Sequence, residues 1–325
     1  MIPKIIHQIW FQGEDKIPEK LKKYNEECKK VNSDYKNYIW DDAMIQRLLK
    51  DHYPKYLQTY NEFPLMIQKI DFAKYVILYH HGGIYIDMDV RCLKKVSSLI
   101  KKFQGNDMIL APSPGVPYQL YNLMTQIVFG FSSNSVANQY YNNGIMIVKK
   151  NYDFLLYLCD EITRRLPNYS FNILTRDPYV WVSTGPGIVT KCIMDYKKKH
   201  PLNLKIIDAK YLEPCDGNIP SSASSATTSD LNEIKTPCDL SESYFIHIHE
   251  KSWMGVANIY VYLHKLYNMI KEFILNAHMM RLIAIIVLIG VIYLYNKPKM
   301  KMRSFRWIKK VITKRTMNKE QLKNA

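Results

Sequence analysis

The chain has 325 residues, of which 47% are hydrophobic and 23% charged, so it is long and apolar enough to bury a full core in one large domain or two small ones. Its formal net charge of +16 suggests a nucleic-acid binder, but the last 29 residues hold eleven Lys or Arg against a single Glu, which leaves +6 for the rest. The body is only mildly basic, and this placement argues against nucleic acid as a partner.

Strand and helix signals alternate along the chain. Buried apolar runs indicate strands, and Pro at a first helical position with Gly at a stop indicates helix ends. The pattern predicts a strand at Ile5–Trp10, a helix over Pro18–Val31, a strand at Tyr38–Trp40, a helix from Asp42, a helix over Pro64–His80, a strand in the following segment to Val90, strands at Ile109–Ala111 and Gly144–Val148, a helix over Asp153–Arg165, a further helix after the turn Thr184–Gly187, and a last strand at Tyr244–His249. Alternating strands and helices predict an α/β fold.

The C-terminal part has a different character. Gly255–Ile274 has the spacing of an amphipathic helix, and Leu282–Tyr295 is uncharged and mainly apolar. As a helix the second segment would be ~21 Å long, short of the ~30 Å hydrocarbon core unless it extends upstream, and the alternative is a buried helix of a soluble protein. The basic tail directly after it favours the membrane. The predicted organisation is an α/β domain over 1–254 with a Ser/Thr/Ala-rich loop at 216–237, an amphipathic helix at 255–275, a membrane segment at 276–296 and a basic tail at 297–325.

The side of the membrane follows from two opposed signals. Positive charge predicts that the basic tail lies in the cytosol, and a spanning segment would then place the domain on the opposite side of the membrane. The chain begins directly with a predicted strand and shows no secretory signal peptide, which favours the cytosolic side for the domain. We expect membrane association with the domain on the cytosolic side.

The six cysteines show no metal-binding spacing. Cys215 and Cys238 flank the Ser/Thr/Ala-rich loop and would close it in an oxidising compartment. Six free thiols in a reducing compartment are the alternative.

Two carboxylates follow an apolar run in the segment HHGGIYIDMDV. In a continuous strand, alternation would place Tyr85, Asp87 and Asp89 on one face. Two neighbouring carboxylates repel unless a positive charge lies between them, and at the C-terminal edge of an open α/β sheet they suit Mg²⁺ or Mn²⁺ that also holds substrate phosphates. Solvated turn carboxylates are the alternative for an isolated DxD. Asp71 and Lys74 lie three apart on the preceding helix, either toward a ribose and a phosphate or as an ordinary helical ion pair.

The segment QKIDFAKYVILYHHGGIYIDMDV resembles the signature of the DxD-containing sugar transferases of glycosyltransferase family 32, relatives of yeast mannosyltransferases and of clostridial glucosylating toxins. The resemblance covers much of residues 1–253. It includes IPKIIHQIW, YIWDD, NNGIMIVKK, TGPGIVT and IHIHEKSW, in the family's order.

The resemblance implies a GT-A-like fold, with a mixed, mainly parallel sheet flanked by helices. It also implies a UDP- or GDP-sugar donor, a glycan, lipid or protein acceptor, Mn²⁺ or Mg²⁺, and transfer with retention, for which the family requires no nucleophile. Asp87 and Asp89 would be the catalytic carboxylates, with Asp87 binding the donor sugar or ribose and Asp89 binding the metal directly. His247 would complete the metal site, with His249 as its competitor on the same strand.

The same resemblance assigns the donor site. Trp10 would stack on the base, or else belong to the core, and Tyr85 would line the nucleotide pocket. Asp71 would hold ribose or sugar, and Lys74 stands where the family has Arg, which removes a bidentate phosphate contact. The remaining donor contacts would be Asn143, whose alternative is a turn residue, together with Ser252 and Trp253.

Two other classes of function stay open from the sequence. An inactive, membrane-tethered nucleotide-sugar or glycan binding protein has Lys74 as its support, and the intact DxD argues against it. A nucleic-acid binder would need the basic tail, which suits an anionic membrane surface better.

Overall fold

The computed structural model describes residues 1–113, 140–168, 176–214 and 239–248. The chain divides into two compact units, residues 1–256 and 257–325, and all described residues belong to the first. The helices and strands are, in chain order, β1 (Ile5–Ile9), α1 (Glu19–Val31), β2 (Lys36–Trp40), α2 (Asp42–His52), α3 (Leu57–Glu62), α4 (Met66–His81), β3 (Gly83–Ile86), β4 (Val90–Cys92), α5 (Val96–Lys102), β5 (Met108–Leu110), β6 (Ile145–Val148), α6 (Asp153–Arg165), α7 (Arg176–Ser183), α8 (Pro186–Tyr196), β7 (Leu204–Ile206) and β8 (Phe245–His247).

Within these ranges, six strands form one sheet in the order β2-β1-β3-β6-β5-β7, and β4 pairs with β8 in a second, two-stranded sheet. In the large sheet β1 is parallel to β2 and β3, and β5 is parallel to β7, whereas β6 is antiparallel to β3 and β5. The predicted α/β class with a mixed, mainly parallel sheet is confirmed. The predicted amphipathic helix, membrane segment and tail lie outside the described residues.

Alternate residues of the central strands enter two different hydrophobic clusters. Tyr85 and Met146 belong to the cluster that contains α4, α6 and α8, whereas Ile84 and Ile147 belong to the cluster that contains Cys28 and Val96 from the other helices. Both faces of the sheet are therefore covered at its centre, which explains why the central strands β3, β5 and β6 are apolar runs rather than alternating ones.

Helix α4 is the central helix of the domain, and its ends differ slightly from the prediction. It begins at Met66, two residues after the predicted start at Pro64, because Leu65 is still extended. It ends at His81, one residue after the predicted end at His80: Gly82 follows the helix with φ +65, and a Cβ there would lie 2.4 Å from the backbone nitrogen of Lys150. Only glycine satisfies both the conformation and the close approach, so the helix end is fixed by sequence.

Strand β3 ends earlier than the alternation predicts. It stops at Ile86, and the backbone nitrogen of Val90 donates to the carbonyl of Asp87 at 3.1 Å, which closes a turn. The expectation that Asp87 and Asp89 share one face of a continuous strand is therefore wrong. A turn, rather than strand alternation, brings the two carboxylates together.

The cysteines do not follow the expected alternatives. Cys28 of α1 and Cys92 of β4 form a disulfide bond, with their Cα atoms 4.9 Å apart, so the alternative of six free thiols is wrong. Cys159 and Cys192 are free and buried. Cys215 and Cys238, which the sequence suggested as a pair, lie outside the described residues.

The last predicted strand is shorter than expected and joins a different sheet. It spans Phe245–His247 instead of Tyr244–His249 and runs antiparallel to β4, with His247 opposite Val90. The strand β4 follows the carboxylates directly, so this second sheet brings His247 close to them. No helix in the described ranges has the length and apolar character needed to cross a membrane.

Candidate active site

Asp87, Asp89 and His247 come together at the edge where β3 ends. Their potential ligand atoms all lie within 4.8 Å of one another. The side chains are partly accessible, 28% for Asp87, 20% for Asp89 and 11% for His247, so a cation from solvent can reach them. Two carboxylates and one imidazole form a donor set suited to a hard or borderline divalent cation.

The second sheet holds His247 beside Asp89. The backbone nitrogen of Ile248 donates to the carbonyl of Asp89 at 2.9 Å, and Nε2 of His247 lies 3.1 Å from Oδ1 of Asp89. On the other side of the ring, Nδ1 lies 2.7 Å from Oε1 of Glu213. Burial lowers the pKa of His247, but the two carboxylates outweigh it and raise the pKa well above its ordinary value.

Glycine at position 144 makes room for this group. Asp87 donates its backbone N–H to the carbonyl of Gly144 at 2.8 Å, and a Cβ at Gly144 would lie 2.6 Å from Oδ2 of Asp87 and 3.1 Å from Cε1 of His247. A side chain here would push into the space between the carboxylate and the imidazole. The described residues therefore fit a divalent cation both in chemistry and in space.

Lys74 lies beneath the DxD turn as a buried cation. Its Nζ contacts Oδ1 of Asp71 at 3.0 Å and Oδ1 of Asp87 at 3.4 Å, donates to the carbonyl of Asn143 at 3.3 Å, and lies 4.6 Å from the ring centre of Tyr85. Burial disfavours its charge, but Asp87 and Asp71 more than offset this and raise the pKa of Lys74. The pair with Asp71 is therefore not an ordinary exposed helical ion pair, since both side chains are almost fully buried.

The charge state of Asp87 depends on these same neighbours. Burial raises its pKa, Lys74 lowers it and Asp89 raises it again, and the net pKa lies above the ordinary value. Oδ1 of Asp87 also accepts a 2.7 Å hydrogen bond from the hydroxyl of Tyr85. A divalent cation would favour the ionised form of both carboxylates.

Asp71 lies at the centre of a buried polar network. Its Oδ1 accepts from Nδ2 of Asn143 at 3.0 Å, and its Oδ2 accepts from Oγ1 of Thr184 at 3.0 Å. Asn143 Nδ2 also lies 2.8 Å from the hydroxyl of Tyr75, which donates to the carbonyl of Thr184 at 2.6 Å. The network joins α4, the start of β6 and the turn before α8, so it fixes three elements around the predicted donor site.

A profile described as a glycosyltransferase sugar-binding region containing a DXD motif matches residues 18–106. An uncharacterized glycosyltransferase of Acanthamoeba polyphaga mimivirus is 33% identical over 255 residues, which are 78% of this chain and 84% of that protein. The chain belongs to the DXD-containing glycosyltransferases. It is an enzyme of the family that the sequence motifs indicated, with fungal mannosyltransferases among its relatives.

Two fungal relatives match shorter parts of this glycosyltransferase. Inositol phosphoceramide mannosyltransferase 3 of Schizosaccharomyces pombe is 32% identical over 187 residues, 57% of this chain and 43% of that protein. A mannosyl phosphorylinositol ceramide synthase of Saccharomyces cerevisiae is 40% identical over 100 residues, 31% of this chain and 26% of that protein. The match therefore spans less than half of each fungal relative.

Among solved structures, the apo form of mouse xyloside xylosyltransferase 1 aligns with a TM-score of 0.43 and 11% identity, over 79% of this chain and 99% of that one. A PaToxG glycosyltransferase aligns with a TM-score of 0.37 and 18% identity, over 61% and 70% of the two chains.

The structure brings most predicted site residues of the glycosyltransferase together and leaves some predictions untested. Asp71, Lys74, Tyr85, Asn143 and the three candidate metal ligands form one connected group, described above. Trp10 directly follows β1 and is half-buried, and its contact with a base stays a prediction. The predicted contacts of Ser252, Trp253 and the competing His249 lie outside the described residues.

Sequence reasoning missed Glu213, Asn142 and Gly144. Asn142 accepts from the backbone nitrogen of Gly144 and donates to Glu213 through its amide, so the three residues support the same group. Asn142 and Gly144 flank Asn143, a predicted site residue, and this position in the sequence could have indicated that they belong to the site. Glu213 is a single acid before Pro214, 34 residues from His247, and no motif singles it out.

Proposed function

We propose that this glycosyltransferase moves a hexose from a nucleotide-diphosphate-sugar donor to a glycan, lipid or protein acceptor, in a metal-dependent reaction on a GT-A-like fold. The observation that carries the proposal is the convergence of Asp87, Asp89 and His247 within 4.8 Å at the carboxyl end of β3. This is the edge of an α/β sheet at which ligands bind.

Asp87, Asp89 and His247 would hold Mn²⁺ or Mg²⁺. Bound there, the cation would neutralise charge on the donor diphosphate and support its departure as the leaving group. The three side chains contribute a fixed, partly exposed set of ligand atoms that needs little rearrangement. The Tyr85 hydroxyl and the Lys74 ammonium both contact Oδ1 of Asp87, which restrains the carboxylate and leaves Oδ2 outside these two contacts.

The buried network would position the sugar of the donor. Lys74 offsets the charge of Asp71 and Asp87. Its ammonium group contacts both carboxylates and the carbonyl oxygen of Asn143. We therefore propose that Lys74 acts mainly by orienting these carboxylates, with Asp71 and Asn143 lining the sugar side. The competing proposal is that Lys74 contacts a donor phosphate. The KM for the donor, measured on a Lys74→Arg variant, would distinguish this contact from a role in orienting the carboxylates.

Mannose is the first sugar to test. One fungal relative is named as an inositol phosphoceramide mannosyltransferase and another as a mannosyl phosphorylinositol ceramide synthase. From these names we propose mannose as the transferred sugar and a lipid as one of the three acceptor classes. Retention of anomeric configuration is part of the proposal, and the one-bond coupling between C1 and H1 of the transferred sugar, measured by NMR on the product, would test it.

We also propose membrane association through residues 276–296, which lie outside the described ranges. The sequence favours the cytosolic side for the domain, whereas a bonded Cys28–Cys92 pair is typical of proteins that mature in oxidising compartments. Protection of the domain from added protease in sealed vesicles would place it in the lumen, and digestion would place it in the cytosol.

Donor hydrolysis, screened across UDP- and GDP-sugars with titrated Mn²⁺, tests the proposed activity. Asp89→Asn is nearly isosteric and should abolish turnover and metal dependence together, because it removes charge and not volume. Asp87→Ala should weaken donor binding and turnover while leaving some metal response. Met88→Leu, a buried apolar exchange of similar volume between the two carboxylates, should be close to wild type. Full activity of Asp89→Asn, with loss in Met88→Leu, would refute the metal site.

A further inference from the structure

Glu213 is a buried carboxylate directed at the side of His247 that faces away from the DxD turn. Its side chain is 2% exposed, and its Oε1 lies 2.7 Å from Nδ1, while Nε2 of the same ring lies 3.1 Å from Oδ1 of Asp89. The imidazole therefore lies between the two carboxylates. Glu213 does not belong to the group of ligand atoms within 4.8 Å of one another, which consists of Asp87, Asp89 and His247.

The backbone around Glu213 is fixed to the strand that carries His247. The nitrogen of Glu213 donates to the carbonyl of Ala209 at 2.6 Å, closing the turn after the short 3-10 helix Ala209–Tyr211. The nitrogen of Tyr244 donates to the carbonyl of Tyr211 at 2.9 Å, just before β8 begins. The bond between Tyr244 and Tyr211 therefore ties the segment that carries Glu213 to the segment that carries His247.

Asn142 restrains the carboxylate of Glu213 from the other side. Its Nδ2 donates to Oε1, and its Oδ1 accepts from the backbone nitrogen of Gly144, the residue that lies against Asp87 and His247. A buried carboxylate with such fixed partners has few alternative orientations. Glu213 is therefore fixed with an acceptor oxygen at Nδ1.

A neutral imidazole has one N–H and one free lone pair, and the hydrogen bond at one nitrogen decides which nitrogen is free. With a cation bound in place of the second ring proton, a carboxylate at Nδ1 keeps the remaining proton there and leaves Nε2 to bind the metal. The same contact prevents rotation of the ring about its bond to Cβ. Carboxylates placed in this way behind a ligating histidine raise its affinity for metal.

We propose that Glu213 is the positioning residue of the metal site, which fixes the tautomer and the orientation of His247 so that Nε2 completes the set formed by Asp87 and Asp89. The proposal rests on the proposed metal-dependent function, because it assigns His247 as a ligand. It adds a residue that lies outside the DxD motif and belongs to a different segment of the chain.

Binding of Mn²⁺ alone, measured on the purified full chain by electron paramagnetic resonance of the free ion, tests the proposal without an activity assay. Glu213→Ala should weaken Mn²⁺ binding by about 10- to 100-fold. Glu213→Gln should lie between it and the wild type, because an amide oxygen still accepts from Nδ1 but lacks the charge. Glu242→Gln is the matched control, an exposed acid that pairs with Lys210 at 2.8 Å, and it should bind as the wild type does.

Thermal melts without metal separate positioning from general support of the fold. If Glu213→Ala does not fold, Glu213→Gln, which keeps the volume, decides the question. Wild-type Mn²⁺ affinity in folded Glu213 variants, with binding lost in Asp89→Asn, would overturn the role of Glu213 and leave the metal site intact. Wild-type protein that binds no Mn²⁺, or an Asp89→Asn variant that binds normally, would overturn the metal site and this inference with it.

Discussion

Asp87 and Gly144 approach so closely that no side chain fits between them. Asp87 donates its backbone N–H to the carbonyl of Gly144 at 2.8 Å, and a Cβ built on Gly144 would lie 2.6 Å from Oδ2 of Asp87. The first carboxylate of the DxD turn and the residue before β6 are therefore parts of one arrangement. Glycine is required here by the space around the candidate metal ligands, and its own backbone conformation is ordinary for any residue.

Gly144→Ala should reduce metal-dependent donor hydrolysis on the order of 100-fold, because Asp87 or His247 must move away from its place in the proposed cation site. Gly105→Ala is the control, since its φ of +87 strains the substitution but no atom lies within 4 Å of the added Cβ. The control should lose some stability and keep its Mn²⁺ dependence. Rates and melting curves of both variants would check this, and wild-type turnover of Gly144→Ala would contradict the assigned geometry.

Lys74→Met should lower the free energy of unfolding by about 3–5 kcal/mol, since it leaves the buried Asp71 and the adjacent Asp87 without their cation. The matched control is Lys55→Met, in which the pair with Asp160 is 59% and 55% exposed. That substitution should change stability by no more than about 0.5 kcal/mol. Urea denaturation of both variants gives the comparison, and equal small effects would show that the buried pair does not stabilise the fold.

The sequence predicted the elements whose signals are local. Helix α4 is apolar on most sides and ends at Gly82, whose conformation and crowding require glycine, so its existence and end were accessible from composition and spacing. The end of β3 was not accessible, because Asp87 continues the alternation that Tyr85 begins. Only the hydrogen bond from Val90 to Asp87 shows that a turn has replaced the strand.

Long-range pairing explains the other omissions. Nothing in the residues Val90–Cys92 shows that they pair with Phe245–His247, because both strands are short and the pairing spans more than 150 residues. Glu213 becomes significant only through this pairing, which fixes where the His247 ring lies. The sequence motifs could therefore indicate the candidate metal ligands, whereas Glu213, which contacts His247, could be found only from the structure.

The stability of the domain should decrease below pH 6.5, because the buried His7 and the half-buried His81 stay neutral in the folded state. Nδ1 of His7 accepts from Nε1 of Trp40 at 3.1 Å and its Nε2 donates to the carbonyl of Gly82 at 2.9 Å, so a second ring proton would face a donor. Burial lowers the pKa of His7 to about 3, and burial with the charge of His80 lowers that of His81 to about 4. Between pH 6.5 and 4 these histidines bind protons in the unfolded chain but not in the folded one. The free energy of unfolding therefore decreases as the pH falls toward 4.

His81→Gln should flatten this pH dependence, because one of the histidines that must stay neutral is removed. The charges that face His81 are His80, Lys150 and His52. His200→Gln is the control, since His200 is exposed, and its melts between pH 4 and 7 should follow the wild type. Identical slopes for wild type and His81→Gln would show that His81 does not contribute.

The Cys28–Cys92 bond should stabilise the domain by about 2–4 kcal/mol, because it closes a loop between residues 64 apart. A reductant should lower the melting temperature of the wild type and leave that of a Cys28→Ala/Cys92→Ala double variant unchanged. Thiol titration of unfolded protein under non-reducing conditions checks the pairing independently. Titration of all six cysteines as free thiols would exclude the bond in solution.

The central claim is that Asp87, Asp89 and His247 together hold the divalent cation used by the glycosyltransferase. The most direct measurement is anomalous diffraction at the manganese absorption edge, from crystals grown with Mn²⁺ and either UDP or GDP. We predict an anomalous peak within coordination distance of Asp89 and His247, next to Asp87, that disappears in Asp89→Asn crystals grown in the same way. A manganese peak at other residues only, or one that persists unchanged in Asp89→Asn, would contradict the claim.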